Sequence, residues 1–266
     1  MNTPIFTLHP GTAPLLVSLP HTGTVLPDEL QAHLTPRALA LEDTDWHLAQ
    51  LYGFVTDLGA SLITPHLSRY VVDLNRPSGN TPMYPGVNNT ELCPTRFFTG
   101  DALYLDGHAP EPQEITRRVQ TYWQPYHDAL ERELARLQAQ HGHVVLFDGH
   151  SIKSTLPWLF EGKLPDLCLG TASGTSCAPA LRDALQGVLQ AQNRFTQVVD
   201  GRFKGGHITR CFGPPARGCH AVQLEMCWST YMAEEPPYGI DPPRADLLAP
   251  VLRALVQTMI DWKPHG

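Results

Sequence analysis

The chain lacks a long apolar run: no stretch approaches the roughly 18 consecutive apolar residues of a membrane span. It also lacks any run of Lys or Arg. With 19 basic against 26 acidic residues, a net charge of −7 argues against a nucleic-acid-binding surface. Met1 to Pro14 contains no basic segment followed by an apolar one, so no secretory leader is expected and the cytoplasm is the expected location. No C-x-x-C pair occurs among Cys93, Cys168, Cys177, Cys211, Cys219 and Cys227, which read as reduced thiols rather than a disulfide framework. No G-x-S-x-G elbow is present, which counts against a serine hydrolase. Neither a repeat nor a linker divides the chain, and one domain over residues 1–266 is expected.

What the chain does have is enough apolar residues, 42% of 266, to build one large core. Strands are expected over Pro14 to Leu19, Ala60 to Thr64, Tyr70 to Leu74, Val144 to Phe147, Leu167 to Leu169, Gln197 to Val199 and Cys219 to Met226. Helical spacing follows Asp43-Thr44-Asp45, where Thr44 or Asp43 can cap. It recurs over Glu111 to Gln140, with a kink or a second start at Pro125, over Ala178 to Gln192, and over Ala245 to Trp262. Asn75 to Gly100, rich in Pro, Gly and Asn, reads as a long binding loop. Strands alternating with helices imply an α/β fold with a mixed, largely parallel sheet.

The chemistry centres on His141 to Ser154. The apolar strand Val144 to Phe147 there runs into Asp148-Gly149-His150-Ser151, and open α/β sheets place ligand sites at the carboxyl ends of their strands. His21 follows another buried strand in the turn Pro20-His21-Thr22-Gly23, and Asp45 stands at a helix start. Two imidazoles and one carboxylate are a donor set for a catalytic zinc, which keeps an open position for water. Asp43 competes with Asp45, and Asp148, two residues from His150 on the same strand face, competes as a ligand or as the group that orients one. Glu225 lies inside an apolar alternating strand, where a carboxylate needs a reason; a general base and acid beside a metal supplies one. Arg69, Asn75 and Arg76 in one run, and Arg210 after a glycine pair, suit carboxylate recognition, with Asp73 a structural partner to one of the guanidiniums. Arg202 and Lys204 are weaker candidates, solvated or at the mouth of the cleft.

Seven stretches together carry a resemblance: Leu-Val-Ser-Leu-Pro-His-Thr-Gly, Asp-Thr-Asp-Trp-His, Ser-Arg-Tyr-Val-Val-Asp-Leu-Asn-Arg, Tyr-Pro-Gly-Val-Asn-Asn-Thr, Gly-His-Ser-Ile, Gly-Arg-Phe-Lys-Gly-Gly-His-Ile-Thr-Arg and Gln-Leu-Glu. From about Ala13 to Met232 the chain resembles the N-formylglutamate amidohydrolase (deformylase) family of histidine degradation. The resemblance implies a three-layer αβα domain with a mixed sheet of the zinc carboxypeptidase and aspartoacylase type (phosphorylase/hydrolase-like). It implies that His21, Asp45 and His150 are the metal ligands, that Glu225 is the proton shuttle, and that Asn75, Arg76 and Arg210 contact substrate. Arg69 is then a candidate to stabilise the oxyanion. The chain departs from the family pattern at His207, where a Tyr is common, and at Gly149, where an Ala is common. The first affects a pocket wall or a hydrogen bond to substrate; the second should leave the metal site intact.

The implied reaction is hydrolysis of N-formyl-L-glutamate to L-glutamate and formate, with Zn2+ or another divalent metal as cofactor. The implied partner is this small molecule alone, with no nucleic acid and no membrane, in a monomer or small homo-oligomer. The alternatives at this point are a zinc amidohydrolase acting on another N-acyl acidic amino acid or small peptide, a non-haem iron oxygenase, and a small-anion binding protein without catalysis.

Overall fold

The computed structural model describes residues 4–83 and 86–264; Tyr84 and Pro85 of the Tyr-Pro-Gly-Val-Asn-Asn-Thr stretch lie outside the described residues. Seven strands form one sheet: β1 (Phe6–His9), β2 (Leu15–Ser18), β3 (Ser61–Pro65), β4 (Val144–Ile152), β5 (Leu167–Gly170), β6 (Gln197–Val199) and β7 (Cys219–Cys227), in the order β1-β3-β2-β4-β7-β5-β6. β1 with β3 and β5 with β7 are antiparallel; the other neighbours are parallel. Around them stand α1 (Asp28–Gln31), α2 (Leu48–Leu51), α3 (Pro112–Arg118), α4 (Gln124–His141), α5 (Pro179–Gln190), α6 (His207–Phe212) and α7 (Pro242–Asp261). The expected α/β fold with a mixed, largely parallel sheet is what the chain adopts.

Alternation along the strands makes two cores. Leu15, Val17, Val145, Phe147, Val222 and Leu224 face one way and pack with Leu48 of α2, Leu181 and Leu185 of α5, and Leu248 and Leu252 of α7. Leu16, Val144, Leu146 and Ala221 face the other way, against Tyr126, Leu130, Leu134 and Leu137 of α4 and Ile208 of α6. Both faces are covered, so the central strands read as continuous apolar runs.

Three local expectations need correction. Tyr70 to Leu74 is not a strand: the amide of Val71 donates to the Ser68 carbonyl and that of Arg76 to the Asp73 carbonyl, so the chain turns back on itself. Its apolar residues are buried, and burial without a partner strand produces the same sequence pattern. The helix after Asp45 begins only at Leu48, because His47 takes a left-handed φ of 63° and no side chain caps it. Near Pro125 the expected second start is found: α4 begins at Gln124 with Pro125 in its first turn, after a π-helical turn over Val119–Trp123 that joins it to α3. β4 continues through Ile152, so His150 sits within the strand instead of beyond its end. The edge strand β1 and the short helix α6 had no counterpart in the expectations.

No helix among the described residues is long and apolar enough to cross a membrane. All six cysteines are free thiols; Cys211 is exposed and the others are buried.

Candidate metal centre and active site

Strand order brings the candidate residues together. β4 lies between β2 and β7, in register so that Ser18 pairs with Asp148 and His150 with Glu225. His21 follows β2 by three residues, and its carbonyl accepts the amide of Asp45, which ties the 43–47 turn to the end of the sheet. His21, Asp45 and His150 form the one group among the described residues whose donor atoms are placed to hold a metal ion. His150 Nδ1 lies 3.2 Å from His21 Nδ1 and 3.2 Å from Asp45 Oδ2, and His21 Nδ1 lies 3.6 Å from Asp45 Oδ2. Ligands about 2.0–2.1 Å from a tetrahedral zinc stand about 3.3 Å from one another, so the three donors fit such an ion.

The far nitrogens are also engaged. His21 Nε2 lies 2.7 Å from Asp73 Oδ1, and His150 Nε2 lies 3.0 Å from Asp148 Oδ2. A carboxylate on the outer nitrogen turns the other nitrogen, with its lone pair, toward a metal. Asp148 therefore stands behind His150 and not among the three converging donors. Asp43 is also apart from them: its carboxylate accepts from Tyr70 Oη at 3.0 Å and from the Phe98 amide at 3.1 Å, and burial pushes it up to about 6.

Charge in the site is held by pairing. Burial raises the Asp45 carboxyl, but hydrogen bonds from His150 and His21 outweigh it and leave Asp45 below the usual carboxylate range. Asp73 is likewise held well below that range, against burial, by His21, Arg76 and Arg69. Burial lowers the His150 imidazole, but Asp148 and Asp45 raise it well above its ordinary value. Glu225 goes the other way: burial pushes it up to about 8, only partly offset by His150 and Arg69.

A cavity of about 60 Å³ opens on this group, lined by His21, Asp45, His150 and Glu225 together with Arg69, Asn75, Arg76, Asn88, Asn89, Thr90, Arg202 and Gln223. It is narrow beside the open groove of about 900 Å³ that α3 forms with His33 and His108 elsewhere on the molecule. The other residues singled out in the sequence fall as follows. Arg69 donates to Asp73 Oδ2 at 2.6 Å, lies 3.9 Å from Asp45 Oδ1 and stacks over Phe98. Asn75 reaches both His150 Nε2, at 2.9 Å, and Asp148 Oδ2, at 3.1 Å. Arg76 is braced by the carbonyl and hydroxyl of Thr90. Arg210 is exposed on α6, donates to the Gly205 carbonyl and is not among the residues lining the cavity. His207 packs its ring against Trp123 and His127 and is also absent from the lining. A Cβ added at Gly149 would meet the flexible tip of Leu19, 2.6 Å away, and not a metal-site residue.

Sequence reasoning missed Gln223 and the bond between Asp73 and His21. Asp73 was expected to pair with an arginine, and it does, but its bond to His21 had no local signal. Gln223 precedes Glu225 by two residues, which is the same-face spacing of a strand and a signal that was there to use. Its Nε2 lies 3.4 Å from Glu225 Oε2, while its Oε1 accepts the Gly206 amide. Gly206 must be glycine, since a Cβ there would sit 2.3 Å from Asn75 Nδ2. Arg202, ranked below Arg210 in the sequence, is the one of the two that lines the cavity.

Comparison with known proteins points to one family. A family model described as N-formylglutamate amidohydrolase matches residues 13–232. A protein of Pseudomonas putida named N-formylglutamate deformylase is 47% identical over 261 residues, covering 97% of this chain and 96% of its own. One of the same name from Pseudomonas aeruginosa is 47% identical over 252 residues, 95% of this chain and 94% of its own. In fold, the chain is similar to the crystal structure of N-formylglutamate amidohydrolase from Ralstonia eutropha JMP134, with a TM-score of 0.79 at 24% identity over 96% of both chains. It is similar also to a gene product of Agrobacterium tumefaciens, with a TM-score of 0.73 at 17% identity over 96% of this chain and 94% of that one.

Proposed function

Because the chain belongs to the N-formylglutamate amidohydrolase family, we propose that it is a zinc-dependent deformylase of one catalytic domain that hydrolyses N-formyl-L-glutamate to L-glutamate and formate. The observation that carries the metal dependence is the convergence of His21 Nδ1, Asp45 Oδ2 and His150 Nδ1 within 3.2–3.6 Å, with Asp73 and Asp148 on the outer nitrogens. A divalent metal held there supplies Lewis-acid polarisation and an acidified water.

The chain's own residues do the rest. Glu225 takes the proton of the attacking water and returns it to the leaving amine nitrogen; its carboxyl is buried in the cavity wall, on the residue paired with His150 across β4 and β7. Gln223 orients that carboxyl from its own strand. Arg69, locked by Asp73 and Phe98, offers a fixed positive charge to the oxygen of the formyl carbonyl as that oxygen becomes anionic. Asn75 and Arg76 take the α-carboxylate, which lies next to the scissile amide and so must bind beside His150. Arg210 has no part in this reading. The deformylase name of the relatives that are 47% identical sets this reading ahead of an amidohydrolase for other N-acyl acidic amino acids. Such a reaction closes a histidine-degradation route in the cytoplasm.

Formate release from N-formyl-L-glutamate, measured before chelation, after it, and after adding zinc back, tests the reading. Loss and recovery with the metal is expected, with N-acetyl-L-glutamate turned over far more slowly. Activity that survives complete metal removal would overturn the metal assignment, and equal rates on the two substrates would overturn the preference for formyl.

A further inference from the structure

Three guanidiniums line the cavity, and they are held in different ways. Arg69 is committed to carboxylates, at 2.6 Å from Asp73 and 3.9 Å from Asp45. Arg76 is braced by Thr90 and by the Asn75 carbonyl, 3.8 Å from Asp73. Both sit on the run that reaches the His and Asp group. Arg202 sits elsewhere. Its Nε and Nη2 donate to the Leu159 carbonyl at 3.3 and 3.0 Å, and its guanidinium carbon stands 5.2 Å from the centre of the Phe203 ring. Leu159 and Phe203 line the cavity too, and they pack on the apolar cluster of Phe98, Ile152, Leu156 and Phe160.

The loop that carries Arg202 is pinned on both sides. Asp200 accepts from the amide and hydroxyl of Thr171, the Lys204 carbonyl accepts the Ala172 amide, and the Gly206 amide donates to Gln223. The guanidinium is therefore positioned before any ligand arrives, which lowers the ordering cost of using it.

We propose that Arg202 is the specificity-determining residue that receives the side-chain carboxylate of the acylated amino acid. The inference rests on the deformylase reading and extends it. The substrate is a dianion, and it enters a cavity whose walls already include Asp45 and Glu225, with Asp73 and Asp148 behind them. Each substrate carboxylate needs its own cation. The α-carboxylate falls to Asn75 and Arg76 beside His150. The side-chain carboxylate is three carbons further out, and Arg202, anchored on the Leu159 carbonyl through Nε and Nη2, is the third guanidinium of the cavity lining and the one we assign to it. A neutral side chain of the same shape would leave that guanidinium facing an uncharged group.

The test compares wild type, Arg202→Met and Arg202→Lys on N-formyl-L-glutamate and on its neutral isostere N-formyl-L-glutamine, with binding of the products L-glutamate and L-glutamine to each zinc-loaded protein measured by calorimetry. For Arg202→Met, kcat/KM on the glutamate substrate should fall on the order of 100-fold, mostly through KM. Turnover of the glutamine substrate should change little, and Arg202→Lys should recover part of the loss. Glutamate binding should weaken in parallel while glutamine binding stays level. Equal losses on both substrates would make Arg202 a structural residue and overturn the proposal, as would unchanged glutamate binding. If wild type released no formate yet bound glutamate over glutamine in an Arg202-dependent way, the deformylase reading would fail and the carboxylate assignment would stand.

Discussion

Asp73 is the junction of the site, and Asp73→Asn separates its two functions. The carboxylate is fully buried and accepts from His21 Nε2 at 2.7 Å, Arg69 Nη2 at 2.6 Å and the Asn75 amide at 2.9 Å. Asparagine keeps the shape but replaces one acceptor oxygen with a donor. If the new NH2 faces Arg69, two donors collide and a buried cation loses its partner. If it faces His21, Nε2 must become the acceptor and the proton moves to Nδ1, the atom that points at Asp45 and His150. Loss of a carboxylate behind a ligating imidazole costs about 10–100-fold in metal affinity, or about 1.4–2.7 kcal/mol. Breaking a buried ion pair costs about 3–5 kcal/mol of folding stability. The low end applies, because Asp45 remains 3.9 Å from Arg69. Zinc affinity by competition with a chromophoric chelator measures the first effect, and urea unfolding of the metal-free protein measures the second. Zinc affinity within twofold of wild type, beside a clear loss of stability, would refute the reasoning. Asp73 would then serve Arg69 alone.

Two further outcomes follow from the same structure. Glu225→Gln should bind zinc as wild type does while kcat drops by about 100- to 10,000-fold, since only proton transfer is removed; a rate within threefold of wild type would take Glu225 out of the reaction. His127, buried and stacked on Trp123, donates to the Leu74 carbonyl, and burial lowers its pKa from 6.5 to about 3. Above pH 6.5 it is neutral in both states and its contribution is fully present. As pH falls from 6.5 toward 3 the unfolded chain takes up a proton that the folded one refuses, and stability drops by up to about 1.4 kcal/mol per pH unit. His127→Gln should flatten that limb in urea titrations run at several pH values; parallel curves for the two proteins would show that His127 does not set it.

Local chemistry accounts for the parts of the site that could be read in advance. Apolar runs mark β2 and the first half of β4 because a strand covered on both faces has no polar alternation to lose, whereas β7 showed as an alternating stretch. His150 and Asp148 could be placed on one face by spacing alone, and Glu225 stood out because a carboxylate in such a strand needs compensation. The same logic misread Tyr70 to Leu74, whose side chains are buried by a turned backbone. It could not choose between Asp43 and Asp45. Both flank Thr44, and only the turn after His21 sends one to the imidazoles and the other to Tyr70 and Phe98. Nor could it rank Arg202 over Arg210, since a Gly-rich basic stretch carries no period to show which side chain turns inward.

The sequence by itself determined the central strands, the long helices and the kinds of donor that stand near strand ends, because each depends on neighbours a few residues apart. Its motifs also pointed to the family. Tertiary structure alone decided which donors meet. His21 and His150 are 129 residues apart, and their Nδ1 atoms come within 3.2 Å because β2 and β4 are adjacent and parallel. That adjacency is a property of sheet order, which is set by the packing of the whole chain and written in no single stretch of it.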